Sequence, residues 1–151
     1  MSTLAVNKRA YFDYEISDKY EAGLVLLGHE VKSVKTGHIS LKGSFVTIKG
    51  NELYLTNANI PFYQYAGKII NYDPSRPRKL LLKKSEIKHL IGKARTQGLT
   101  LAPIKIYTKK RLIKLEFGIG KGKKEYDKRE KIKNREDQRK IRQAVKTLTR
   151  G

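Results

Sequence analysis

Between Lys121 and Gly151 the chain carries 13 lysines and arginines against 5 acidic residues, a local net charge of +8 in a chain whose total is +20. The run opens with Gly120-Lys121-Gly122-Lys123-Lys124-Glu125-Tyr126-Asp127-Lys128-Arg129. Side chains of this kind neutralise a row of phosphates, release condensed counterions and give an affinity that falls with salt. Tyr126 sits in polar surroundings with nothing to pack on, and a ring so placed would stack on an unpaired base, worth roughly 1–3 kcal/mol. Other chemistries lack their residues. His29, His38 and His89 are scattered without metal-ligand spacing, and no catalytic constellation stands out. The stretch Gly118-Ile119-Gly120-Lys121-Gly122-Lys123-Lys124 is rich in glycine and lysine but does not match a phosphate-loop spacing. It reads equally as a hinge between a domain and a tail and as a place where backbone approaches a phosphate chain.

The remaining basic residues fall into groups: Lys8 and Arg9 near the start, Lys32 and Lys35, then Arg76, Arg78 and Lys79, and finally Lys109, Lys110 and Arg111. Residues 1–120 thus hold +12 of the total of +20. Charge of this size speaks to partners rather than to fold, and nucleic acid is the leading partner. An anionic membrane surface is the weaker reading. No apolar run approaches the roughly 18–20 residues of a spanning helix, and no basic amphipathic stretch carries Trp, Phe and Leu on one face. RNA is favoured over duplex DNA, because a β-barrel offers no recognition helix and unpaired RNA bases offer aromatic partners. The chain has no cysteine, so neither disulfides nor thiolate metal sites are expected. The start of the chain lacks the pattern of a secretory signal, and a cytoplasmic protein is expected.

Positioning these groups requires a folded domain, and about 120 residues suffice for one core. Residues 1–10 look like an unpatterned basic lead-in. Phe12, Tyr14 and Ile16 alternate with polar neighbours as in a strand, and Leu24-Val25-Leu26-Leu27 reads as a short buried strand. His29 to Thr36 fits a helix with Val31 and Val34 inward, Lys32 and Lys35 outward, and Gly37 as its C-terminal cap. Phe45–Ile48 and Leu53–Leu55 flank the hairpin turn Lys49-Gly50-Asn51-Glu52. Ile60 to Tyr65 reads as extended, with Pro61 at an edge or strand start, and Asn71 to Arg78 as a loop. Ser85 would cap a helix through Thr96 whose buried stripe is Ile87, Leu90, Ile91 and Ala94, with Gly98 at its end. Leu99–Tyr107 and Leu112–Ile119 form two further strands, Ile113, Leu115, Phe117 and Ile119 sharing one face. The expected fold is mainly β: a small OB-like barrel over residues 1–120 with two to three helices, followed by a basic C-terminal tail, residues 121–151. A split β-α-β arrangement is the second choice. The tail carries i,i+4 pairs such as Glu125/Arg129 and Asp127/Lys131. It is expected to be disordered alone and helical when docked.

Six segments resemble the SmpB family of SsrA-binding proteins, which partner transfer-messenger RNA in bacterial ribosome rescue. They are Asn7-Lys8-Arg9-Ala10, Tyr20-Glu21-Ala22-Gly23, Glu30-Val31-Lys32-Ser33, the run Asp73 to Leu82, Gly98 to Pro103, and Gly120 to Arg129. The resemblance implies an OB-like barrel and no enzymatic activity; no cofactor or metal is expected. It implies that the barrel binds the tRNA-like domain of transfer-messenger RNA, with Asn7, Glu21 and Leu81 matching the family's RNA-contact positions. A carboxylate at Glu21 would accept hydrogen bonds from base amino groups or 2′-hydroxyls. The basic groups expected to add to this RNA site are Lys8, Arg9, Lys32, Lys35, Arg76, Arg78 and Lys79. The tail would enter the decoding centre and the empty mRNA channel of a stalled ribosome. Gly122, Lys123, Lys124, Asp127, Lys128 and Arg129 match the tail motif, and Tyr126 stands where some members have histidine. Tyr11-Phe12 stands where many members have a basic residue or histidine. Elongation factor Tu on the same RNA is a further expected partner, and the chain is expected to be a monomer. The alternative is a ribosome-associated or ribosome-assembly protein that uses its basic tail structurally.

Overall fold

The computed structural model describes residues 2–67 and 71–123. The chain order is β1 (Ser2–Val6), α1 (Ala10–Asp13), β2 (Tyr14–Leu24), α2 (Gly28–Lys35), β3 (Phe45–Lys49), β4 (Glu52–Thr56), β5 (Arg78–Leu81), α3 (Lys84–Gln97), β6 (Thr100–Lys109) and β7 (Leu112–Gly122). All pairings are antiparallel, in the order β1-β6-β3-β4-β5-β2-β7, and β7 also pairs with β6. That last pairing closes β6-β3-β4-β5-β2-β7 into a barrel and removes the open sheet edges. The seam between β3 and β6 is thin, a single bridge from Val46 to Leu101. β1 pairs with the other half of β6.

Alternation along the strands fills the barrel. Leu53 and Leu55 of β4, Leu80 of β5, Leu101 and Ile106 of β6, and Leu115, Phe117 and Ile119 of β7 are buried together with Val34 of α2 and Leu90 of α3. Gly37 and Gly98 follow α2 and α3 with φ of 82° and 63°, the left-handed cap that glycine adopts without a Cβ penalty. Gly50, φ 63°, makes the two-residue turn between Lys49 and Glu52.

Several expectations are corrected. The lead-in contains β1, held by β6 rather than by its own pattern. Phe12 lies in α1, and the strand begins at Tyr14 and runs without a break to Leu24. A bulge between Ile16 and Asp18 shifts its phase, which disguised one long strand as two short ones. Val25 and Leu27 lie beyond that strand, 45% and 46% exposed. Ile60 to Tyr65 forms no ladder: Ile60 N–H donates to the Pro74 carbonyl at 2.9 Å, and Pro61 has no N–H with which to continue. Lys83, not Ser85, stands at the start of α3. The inward face of α2 is His29, Glu30, Ser33 and Val34, with Val31 only half-buried.

The glycine-rich stretch is strand as far as Gly122, with Lys121 and Gly122 opposite Glu15 and Tyr14. Two of its glycines answer to packing. A Cβ at Gly118 would lie 2.5 Å from Ile16 Cγ2 and 3.0 Å from the Asp18 carbonyl oxygen, and one at Gly120 would lie 2.8 Å from Tyr14 Cβ. Residues 124–151, and with them the expected helical tail, lie outside the described residues.

Candidate nucleic-acid interface

Glu21, Gly23 and Leu81 share the outer face of the barrel. On β2, Ala22 is buried and Tyr20 stacks on Phe117, so Glu21 and Gly23 point outward. Gly23 pairs with Leu81 of β5. Leu81 stands 54% exposed, leaning over a glycine whose absent side chain leaves it room; a Cβ there would meet Leu81 Cβ at 3.3 Å. Leu81 is thus a surface residue on a strand, which removes the core reading that a lone leucine invites. Lys79 is exposed on the same face of β5 and lies 3.7 Å from Glu52.

Glu21 is fixed rather than free. The hydroxyl of buried Tyr107 donates to Glu21 Oε2, and Lys109 Nζ approaches the same oxygen at 3.5 Å. The Tyr107 hydrogen bond is the main cause that holds the Glu21 carboxyl below its ordinary range, with Lys109 adding to it. Burial, then the same bond, pushes the Tyr107 hydroxyl well above its usual value. The pair therefore stays as phenol donor and carboxylate acceptor at neutral pH. Glu21 Oε1 has no hydrogen-bond partner among the described residues. A carboxylate clamped by one oxygen presents the other as an acceptor for amino or 2′-hydroxyl donors.

Tyr107 was not singled out by the sequence, and its phase explains why. Leu101 and Ile106 both face the core opposite Ile119 and Leu115, although an uninterrupted strand would put positions five apart on opposite faces. The register shift between Pro103 and Lys105 turns Tyr107 toward Glu21. Asn7 holds this irregular point: its N–H donates to the Ile104 carbonyl at 2.8 Å and its side-chain amide to the Pro103 carbonyl at 2.9 Å. Asn7, Lys8 and Arg9 line a cleft of about 870 Å³ with the segment Ile39 to Val46, including Lys42. Arg9 pairs with Asp13 at 3.1 Å and covers the Phe12 ring at 4.8 Å, while Lys8 is exposed.

Arg76 and Arg78, expected among the RNA-contacting cations, are turned into the protein. Arg78 has no exposed side-chain surface; its Nε and Nη2 donate to Glu30 Oε2 at 3.0 and 2.6 Å. Arg76 donates from Nε to the same oxygen at 3.1 Å and from Nη2 to Oε1, keeping 28% of its side chain exposed. Tyr72 completes the cluster with a 2.9 Å bond to Glu30. A guanidinium enclosed in this way has no surface left for a phosphate, so Arg78 serves the fold. Lys32 and Lys35 are exposed on α2 as expected. Lys123 donates from Nζ to the Tyr11 carbonyl at 2.8 Å and from its N–H to the Asp13 carbonyl at 2.9 Å, fixing where the chain leaves β7. Lys124, Tyr126, Asp127, Lys128 and Arg129 lie outside the described residues. Among the described residues there is no cluster of metal-ligating side chains, and no helix is long and apolar enough to cross a membrane.

A closed antiparallel barrel with three flanking helices and an acceptor-bearing outer face beside exposed cations is an OB-like nucleic-acid-binding module. The chain belongs to the SmpB protein family, whose sequence pattern matches residues 4–147. It is 52% identical to the SsrA-binding protein of Thermosipho africanus over 97% of this chain and 98% of that one. It is 47% identical to the SsrA-binding protein of Chloroflexus aggregans over 99% and 95% of the two chains. A solved chain from work described as "tmRNA-SmpB: a journey to the center of the bacterial ribosome" is 47% identical, with a TM-score of 0.64 over 80% of this chain and 84% of that one.

Proposed function

We propose that this chain is a non-enzymatic, cytoplasmic RNA-binding adaptor. It binds the tRNA-like domain of transfer-messenger RNA, the RNA also called SsrA, and delivers it to stalled ribosomes. The observation that carries the reading is the Glu21 carboxylate, clamped by Tyr107 on an exposed barrel face beside Leu81, in a chain about half identical to SsrA-binding proteins along nearly its whole length. The barrel selects the RNA through Glu21 and Leu81, supported by Asn7, Lys8 and Lys79. The basic residues after Lys123 engage the small-subunit decoding centre and the mRNA channel, where ribosomal RNA forms an anionic groove matched to their charge. Elongation factor Tu shares the same RNA.

The test separates the two parts. β7 extends to Gly122, and Lys123 is tied to α1, so the chain is cut after Lys123 rather than inside the strand. Residues 1–123 should bind transfer-messenger RNA with the full-length affinity and fail to support tagging on stalled ribosomes. Equal tagging by the short and full-length proteins would sink the assignment of the tail.

A further inference from the structure

The segment after β4 presents two tyrosines that no packing role explains. Tyr65 is 77% exposed, the most exposed large hydrophobic side chain among the described residues. Its ring meets Tyr63 edge-on, with centroids 5.4 Å apart and planes at 68°. Lys32 Nζ lies 6.0 Å from the Tyr63 ring centre, and Lys35 is exposed one turn further along α2. Neither tyrosine hydroxyl has a hydrogen-bond partner among the described residues.

The pair is held from beneath. Ile60 is fully buried and bonded to the Pro74 carbonyl. Phe62 packs on His29 at 4.7 Å, and His29 packs in turn on Tyr72 at 4.6 Å. The tip is closed by Ala66 N–H donating to the Tyr63 carbonyl at 3.0 Å. The local charge is one-sided. Glu30 is the acid of α2, and it is buried and neutralised by Arg76 and Arg78. Asp73 accepts the Ser75 N–H at 2.9 Å within its own loop. Lys32 and Lys35 are therefore the charges that α2 shows to solvent beside the rings.

We infer that Tyr63 and Tyr65, with Lys32 and Lys35, form a second RNA-binding surface that stacks an unpaired base and holds the adjoining phosphate. Exposed rings beside cations suit a single strand, whose bases have free faces, and not a duplex, whose bases are already stacked. This rests on the reading of the protein as an RNA binder and adds a contact distinct from the Glu21–Leu81 face.

The test uses the full-length protein and an unstructured RNA of about 12 nucleotides, within the usual span of single-strand sites, containing 4-thiouridine. Photo-crosslinked peptides are mapped by mass spectrometry, which keeps this surface separate from the basic tail. Crosslinks are expected within residues 50–67. Tyr65→Ala should lower their yield about tenfold, the loss of one stacked base, whereas Tyr65→Phe retains it and the same sequence as a duplex gives none there. Crosslinks confined to other parts of the chain, or equal loss in Tyr65→Phe and Tyr65→Ala, would overturn the inference. So would a Tyr65→Ala protein that loses ribosome association with its RNA crosslinks intact, since the surface would then face a protein. Binding of the tRNA-like domain by Tyr65→Ala, measured in parallel, is expected to persist. If it persists while the crosslinks are absent from wild type, this surface fails and the adaptor reading stands; if wild-type protein does not bind that domain, the adaptor reading itself fails.

Discussion

Glu30 and Arg78 meet inside the protein 48 residues apart in sequence, with no exposed surface on either side chain. The same guanidinium donates to the carbonyls of Ala58 at 2.7 Å and Pro74 at 2.9 Å. One ion pair therefore joins α2, the end of β4, the loop after Tyr72 and the start of β5, the strand that presents Leu81. Removing one partner of such a pair leaves the other charged and buried, which costs about 3–5 kcal/mol. Glu30→Ala should lower unfolding stability by that amount in urea titrations. Arg76→Ala should cost less, since Arg76 keeps part of its side chain in water. A Glu30→Ala protein as stable as wild type would remove the joining role.

The same carboxylate sets an acid limit. Burial alone would raise its pKa, but hydrogen bonds from Arg76, the Leu27 N–H, Arg78 and Tyr72 outweigh burial and hold it at about 2, against an ordinary 4.5. A group whose pKa is depressed by folding stabilises the native state above its unfolded value, and that contribution fades as pH falls through the folded one. Glu30 should thus contribute fully above about pH 4.5 and lose on the order of 3 kcal/mol by pH 2. The urea midpoint of wild type should fall across that window more steeply than that of Glu30→Gln, which has no proton to gain there. Parallel curves would show that other groups carry the acid response.

The parts of the fold set by local rules were legible in the sequence. The Gly50-Asn51 hairpin, the stripe Ile87, Leu90 and Ile91 on α3, and the caps at Gly37 and Gly98 each follow from residues within a few positions of one another. What escaped were phase shifts and distant partners. The irregularities near Ser17 and Ile104 reverse the alternation partway along β2 and β6, so pattern alone split one strand and left Tyr107 without a role. Arg76 and Arg78 read as solvent-facing cations because the acid that neutralises them lies on another element. Glu21 and Leu81 were found by resemblance; composition favours neither an acid nor a leucine at an RNA site.

The β6–β7 turn offers a gain in stability. Lys110 and Arg111 adopt φ of 49° and 68° between Lys109 and Leu112, the two-residue turn in which Asn-Gly is preferred. A side chain in this left-handed region costs roughly 1–2 kcal/mol per residue. Replacing the pair by Asn-Gly should raise stability by about 1–2 kcal/mol, offset in part by the greater unfolded-state freedom of glycine. Thermal unfolding should show a rise of several degrees for a domain of this size. An unchanged or lowered midpoint would mean that Lys110 and Arg111 make compensating contacts.

Glu21 and Tyr107 make the recognition face testable apart from the fold. Glu21 is more than a third exposed, so Glu21→Gln should leave unfolding almost unchanged while removing a charged acceptor. A hydrogen bond to a charged group contributes roughly 1.5–3 kcal/mol, and affinity for the tRNA-like domain should fall at least about tenfold. Tyr107→Phe keeps the carboxylate but frees it to rotate, and should weaken binding by a smaller factor. Salt dependence distinguishes this from an electrostatic effect. Removing a lysine that neutralises one phosphate reduces the slope of log affinity against log salt by about one, whereas a Glu21 that reads bases or 2′-hydroxyls, as proposed, should leave the slope as it was when substituted. If Glu21→Gln instead raised affinity at low salt, as removal of a negative charge near phosphates would, Glu21 would lie beside the RNA without reading it.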